Sequence, residues 1–282
     1  MARHPRGPFD DVLKEAVEDI TEHGYDSAER VAYWQERLRR AAWDTLTPEA
    51  EMEQMLRDAL TDAWKREVER GGAIRRHPGV ARFTIDRVRP ALRDELSKRI
   101  RMSADLIKLD RDKVIAETMA RFSGWASSVP AGGSKVQDKR KEREDVRSGL
   151  GGLSFRERRV LIDQGHKLVS SINDVIAKGG GAIAAKWRSH YHQAGYDYRE
   201  EHKQRELESA KLPYLIEDSW AAAEGLVKLA GSKYLGSMTQ PGEEVFCRCY
   251  VVYIYNLSDL PKSMLTRKGI ARLEAARRRM AA

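Results

Sequence analysis

Apolar residues recur at three- and four-residue intervals through the first 128 residues, and this periodicity most constrains the fold. Phe9, Val12, Leu13, Ala16, Val17 and Ile20 make one stripe, which Gly24 ends. Asp26 and Ser27 can cap a second helix bearing Val31, Trp34, Leu38 and Ala42. Thr47-Pro48-Glu49 then supplies an N-cap, a first-turn proline and a first-turn acid. Met52, Met55, Leu56, Ala59, Leu60, Ala63, Trp64 and Val68 follow as one apolar face, stopped by Gly71-Gly72. A basic loop with Arg75, Arg76 and His77 leads into a helical pattern from Phe83 to about residue 128. Pro90 lacks a backbone donor, so a bend or break is expected there.

Residues 129–152 read as a linker: a Pro/Gly-rich start, a charge-dense stretch from Lys135 to Arg147 that is a solvated helix or disorder, and three closing glycines. Beyond it the pattern changes. Ser154 can cap a helix to about Ala177, and 197–209 is helix-prone. Residues 182–190 read as strand or helix. The run Phe246 to Tyr255 is the one strong β signal; apolar on both faces, it predicts a central, covered strand. The expected fold is therefore mainly α, with a small α+β C-terminal module whose short sheet includes 246–255. The expected division is a helical region over 1–128, the linker 129–152, an α+β domain over 153–263 and a basic C-terminal helix over 264–282.

Composition narrows the function classes. The 282 residues carry 51 Lys+Arg against 43 Asp+Glu, a formal +8, and 33% of them are charged against about 25% in ordinary globular chains. That suits long solvated helices, and it permits a polyanionic partner without demanding one. The first residues show no basic-then-apolar leader, and the longest apolar run, Tyr250 to Tyr255, is far short of the ~20 residues of a membrane-spanning helix. The only two cysteines form one Cys247-Arg248-Cys249, too short a loop for an unstrained disulfide. A soluble protein of a reducing compartment is expected.

Few residues carry recognisable chemistry. There is no nucleophile elbow, no phosphate loop and no zinc-protease helix motif. In a strand, Cys247 and Cys249 would share a face and amount to half a zinc site, with His190, His192 and His202 upstream to complete it. The same residues also read as buried small hydrophobes and hydrogen-bonded histidines. With a single C-x-C and no recognised histidine spacing, no metal or cofactor is expected; Cys247, Cys249 and His202 are the set a metal would use. At the C-terminus, Arg267, Lys268, Arg272, Arg277, Arg278 and Arg279 stand against one acid, Glu274. They are candidate phosphate contacts, or a solvated tail whose charges favour a helix C-terminus. As the tail follows the closing strand, truncation after Ser263 is expected to leave the fold intact.

Trp187, Tyr198-Arg199-Glu200-Glu201-His202 and Phe246-Cys247-Arg248-Cys249, in that order, resemble the phage Mu F-like minor head protein family. The resemblance covers roughly residues 150–260. Glu243-Glu244-Val245-Phe246 stands where that family often shows His-Pro-Asn, and Arg205-Glu206-Leu207-Glu208 where it often shows a glycine. The resemblance implies a non-enzymatic head-morphogenesis protein of a tailed phage. Its partners would be the portal protein, the major capsid protein or scaffold, and non-specific DNA. It would be present in several copies inside the capsid after assembly in the host cytoplasm. It also implies a structural motif of Trp187, Arg199, His202, Cys247, Arg248 and Cys249, of which Trp187, Arg199, His202, Cys247 and Cys249 are expected to lie together. Two other readings stand beside it: a zinc-dependent nucleic-acid enzyme using the Cys/His group, and a helical DNA-binding adaptor with no virion role.

Overall fold

The computed structural model describes residues 8–135 and 138–281. It is mainly helical with one small antiparallel sheet near the C-terminus, as the periodicities predict. The helices are α1 (Pro8–His23), α2 (Ala28–Thr45), α3 (Glu49–Trp64), α4 (Arg82–Ala126), α5 (Lys139–Ser148), α6 (Leu153–Gly179), α7 (Glu200–Lys211), α8 (Trp220–Ala223) and α9 (Arg267–Ala281); the strands are β1 (Ala184–Arg188), β2 (Tyr214–Leu215) and β3 (Tyr250–Ile254).

The chain forms two compact units that are not sequential blocks: residues 1–57 with 101–160, and 58–100 with 161–282. The sequence-based division at 128 and 152 differs because α3, α4 and α6 each run from one unit into the other. In the first unit, Phe9, Leu13, Val17 and Ile20 of α1 pack with Trp34 and Leu38 of α2, Met119 and Phe122 of α4, and Val146 of α5. Ser27 caps α2 by accepting from the Arg30 N–H, as its position predicts. The stretch expected as linker thus holds a helix, α5, capped by Asp138 and anchored by the wholly buried Val146. Arg111 is also buried here, its charge met by Glu157 at 2.6 Å and the Thr47 carbonyl at 2.9 Å.

In the second unit, Leu60, Trp64 and Val68 meet Ile85, Leu92 and Ile100 of α4 and Leu168, Ile172 and Ile176 of α6. The stripe on α3 is nearly as expected, but Met55 is 59% exposed. The helix α4 is continuous through Pro90. The lost backbone bond is outweighed by a flank anchored through Ile85 and Leu92, whose carbonyl accepts from the Trp64 indole.

The sheet order is β2-β1-β3, all antiparallel, with Ala184 opposite both Leu215 and Ile254, and Trp187 opposite Val251. This corrects two expectations. The run 246–255 is not the central strand: β1, the segment ambiguous in sequence, is central, and β3 lies at an edge with Tyr250 and Val252 exposed. Pairing also starts only at Tyr250, so Cys247 and Cys249 precede the strand. An edge strand needs cover on its faces but not along its free side, which is why an apolar run does not imply a centre. Ala185, Trp187, Tyr214 and Tyr253 pack on one face with both cysteines. Ala184, Leu215 and Ile254 pack on the other with Leu226, Leu257, Met264 and Leu265.

Candidate cysteine–histidine site

Three elements bring the candidate residues together. Trp187, fully buried, comes from the central strand; His202 lies in the first turn of α7; Cys247 and Cys249 lie on the loop entering β3. The placement of α7 against β1 is fixed by polar anchors. Ser209 accepts from the Trp187 backbone N–H at 2.8 Å. Glu206 accepts from the Ser189 N–H at 2.6 Å and its hydroxyl at 2.9 Å, and pairs with Arg188. Four residues before Glu206, on the same face of the helix, His202 is thereby held 5.5 Å, ring to ring, from Trp187. Arg205 lies 4.9 Å over the same indole and pairs with Glu201.

The loop before β3 is held separately. Phe246 adopts a left-handed φ of +58°, a conformation that costs a non-glycine residue about 1–2 kcal/mol. Its N–H donates to the buried carboxylate of Asp163 at 2.6 Å, and Lys167 pairs with that carboxylate at 2.9 Å. The turn therefore delivers both sulfurs to His202, where strand alternation was expected to do so. His202 Nδ1 lies 3.7 Å from Cys247 Sγ and 3.3 Å from Cys249 Sγ. The three donor atoms lie within 4.8 Å of one another, and all three residues are buried.

The surroundings complete the site. Glu244 Oε1 contacts His202 Nε2 at 3.2 Å, and its other oxygen pairs with Arg199 at 3.0 Å. A carboxylate there accepts a hydrogen bond from Nε2–H, the tautomer in which Nδ1 faces the thiols as an acceptor. Arg199 also donates to the Val245 carbonyl. The Gly242 N–H donates to Cys247 Sγ at 3.4 Å. The hydrogen bond from Cys249, reinforced by Gly242, lowers the Cys247 thiol from its ordinary value. The same contact with Cys247, together with burial, raises Cys249. The pair thus holds one thiolate readily and resists a second. The Trp187 indole N–H has no hydrogen bond of normal geometry, and it favours the charged form of Cys249.

The structure thus gathers Trp187, Arg199, His202, Cys247 and Cys249. Arg248 is at the margin: its guanidinium lies 5.9 Å from the Tyr196 ring, and its carbonyl accepts from His190. Of the three candidate histidines only His202 joins the sulfurs, since His192 stacks on Tyr191. Sequence reasoning missed Glu244, Asp163, Glu206 and Ser209; Glu244 lay inside the segment that departs from the family pattern. A polar cleft of about 190 Å³, lined by Lys98, Arg99, Lys167, Asp174 and Glu243 among others, contains none of the three donors.

The six basic candidates lie on α9 and are exposed. Two are engaged: Lys268 donates to the Glu224 carbonyl at 2.8 Å, and Arg272 pairs with the Glu224 carboxylate at 3.5 Å. Among the described residues Arg267, Arg277, Arg278 and Arg279 have no ion-pair partner. The start of the helix is docked on the sheet module. Thr266 bonds to Gly225 and Leu226, and Met264 and Leu265 are buried. The expectation that truncation after Ser263 spares the fold is therefore corrected, because that cut removes core. No family model, curated protein or solved structure matches this chain.

Proposed function

We propose that this chain is a structural minor head protein of a tailed phage, acting in head morphogenesis beside the portal and packaged DNA. The observation that carries the reading is spatial. Trp187, Arg199, His202 and Cys247-Arg248-Cys249 bear the family resemblance across 63 positions of sequence; four of these six residues meet in one buried cluster, and Arg199 reaches its exposed edge through Glu244. Independent fragments would have no reason to converge.

A non-enzymatic role is supported by burial. His202, Cys247 and Cys249 are each less than a tenth exposed, so a macromolecular substrate has no route to them. DNA contact rests on the free arginines of α9. Portal, major capsid protein or scaffold are the protein partners of this reading, and the capsid interior is its location.

Mass spectrometry of purified particles, with copy estimates for each protein, tests it. Several copies per particle, retained after nuclease and salt washing, are expected. Absence from particles that contain the portal would refute it.

A further inference from the structure

We propose that His202 Nδ1, Cys247 Sγ and Cys249 Sγ hold a single zinc ion. This stands apart from the head-protein reading and does not need it. The sequence argument against a metal was one of spacing, and the fold supplies what the spacing lacks.

Donor geometry carries the inference. With Zn–S of ~2.3 Å and Zn–N of ~2.0 Å at tetrahedral angles, sulfur and nitrogen ligands sit about 3.6 Å apart. The observed Sγ–Nδ1 distances, 3.7 and 3.3 Å, bracket that separation. Two thiolates and an imidazole select a borderline-soft ion over magnesium or calcium, which take oxygen ligands.

The second layer fits as well. Metal-bound imidazoles nearly always give their other N–H to a carboxylate or carbonyl. Glu244 stands at Nε2 of His202, itself held by Arg199. The Gly242 N–H donates to Cys247 Sγ at 3.4 Å, as a backbone donor does to a metal-bound thiolate. Two thiolates balance the charge of Zn²⁺, and Arg199 balances Glu244, so the buried group is neutral overall. The fourth coordination position falls to an exchangeable ligand such as water.

The chain has only two cysteines, so any thiolate–metal signal reports this site alone. Reduced, metal-free full-length protein would be titrated with cobalt(II) as a spectroscopic substitute, then with zinc. One equivalent of cobalt should produce thiolate-to-metal charge transfer with the ligand-field bands of a tetrahedral ion, and zinc should displace it. Zinc should also protect both thiols of the wild-type protein from alkylation, a readout that needs no variant. Cys247→Ser/Cys249→Ser should abolish the charge transfer. Glu244→Gln should weaken affinity by roughly 10- to 100-fold while leaving the band in place, as loss of an outer partner does. The proposal is overturned if reduced wild-type protein shows no charge transfer at one equivalent. It is equally overturned if zinc leaves the thiols reactive, or if they are recovered as a disulfide that binds no cobalt once reduced.

Discussion

Gly269, in the first turn of α9, distinguishes a docked helix from a solvated tail by the sign of one substitution. On a solvated helix, Gly→Ala stabilises by about 0.8–1 kcal/mol through backbone entropy alone. Here the backbone of Gly269 lies against Leu226, and an added Cβ would sit 2.1 Å from the Leu226 carbonyl oxygen. No real Cβ tolerates that approach to a backbone atom, so the helix must lift. Lifting strains the Thr266 N–H bond to Leu226 at 3.0 Å and the Thr266 hydroxyl bond to Gly225 at 2.8 Å. Overpacking of this kind costs about 1–3 kcal/mol, which exceeds the propensity gain. Gly269→Ala should therefore destabilise the protein, by up to about 2 kcal/mol net. Urea unfolding followed by circular dichroism reads this as a lower midpoint at unchanged slope. A midpoint that rises would mean that α9 is not docked, and the burial of Met264 and Leu265 would be in question with it.

Truncation supplies a coarser form of the same test. Ending the chain after Ser263 deletes Met264 and Leu265, which are 0% and 2% exposed, and should cost on the order of 3–6 kcal/mol; ending it after Ala276 should change stability by less than about 0.5 kcal/mol. For DNA, four free arginines on α9 predict a log–log salt slope of about −3.6 on duplex. Arg277→Gln/Arg278→Gln/Arg279→Gln should flatten it to about −1, and an unchanged slope would place the contacts elsewhere. His77 provides a pH test, since it is buried with Nδ1 at the Tyr255 hydroxyl and Nε2 at Asn173 Oδ1. Burial lowers its pKa below 6.5, so the unfolded chain binds the proton first. Its contribution to stability is whole above about pH 6.5 and declines as the pH falls below that, by at most about 1.4 kcal/mol per pH unit. His77→Gln should remove this share of the acid sensitivity; identical pH–stability slopes for wild type and variant would contradict it.

The elements most legible in the sequence are those whose information is local. The helices α1, α2 and α3 announce themselves through apolar period, Ser27 and the 47–49 start, because propensity, capping and burial agree there. Strand order was illegible for the opposite reason. β1 reads Ala-Ala-Lys-Trp-Arg, with small residues where a central strand usually shows branched ones, since Ala184 and Ala185 leave room for neighbours on both faces. β3 has the stronger strand composition but only one hydrogen-bonded neighbour. The candidates for the cysteine–histidine site were readable from the Cys-x-Cys and the histidines upstream of it, whereas its geometry was not. Glu244, Asp163 and Glu206 act through contacts 42, 83 and 17 residues away in sequence, and nothing in their local pattern marks them.

The three strands total only twelve residues, and sheets that small are marginal unless their flanking segments are tied down. The flanking segments here are long: residues 189–199 carry no regular element, and residues 224–249 carry one short 3₁₀ turn. Each is tied to the sheet by buried polar chemistry. Glu206 fastens the exit of β1, Asp163 fastens the turn before β3, and the cysteine–histidine cluster joins that turn to α7 beside Trp187. A metal at the last of these would cross-link residues 45 and 47 positions apart without demanding the strained small ring of a Cys-x-Cys disulfide. The ion's contribution would then appear as stability of the module, growing with free zinc as RT ln(1 + [Zn]/Kd). That dependence gives the site a readout in stability: chelation should lower the unfolding midpoint of the second unit, and restoring zinc should raise it again.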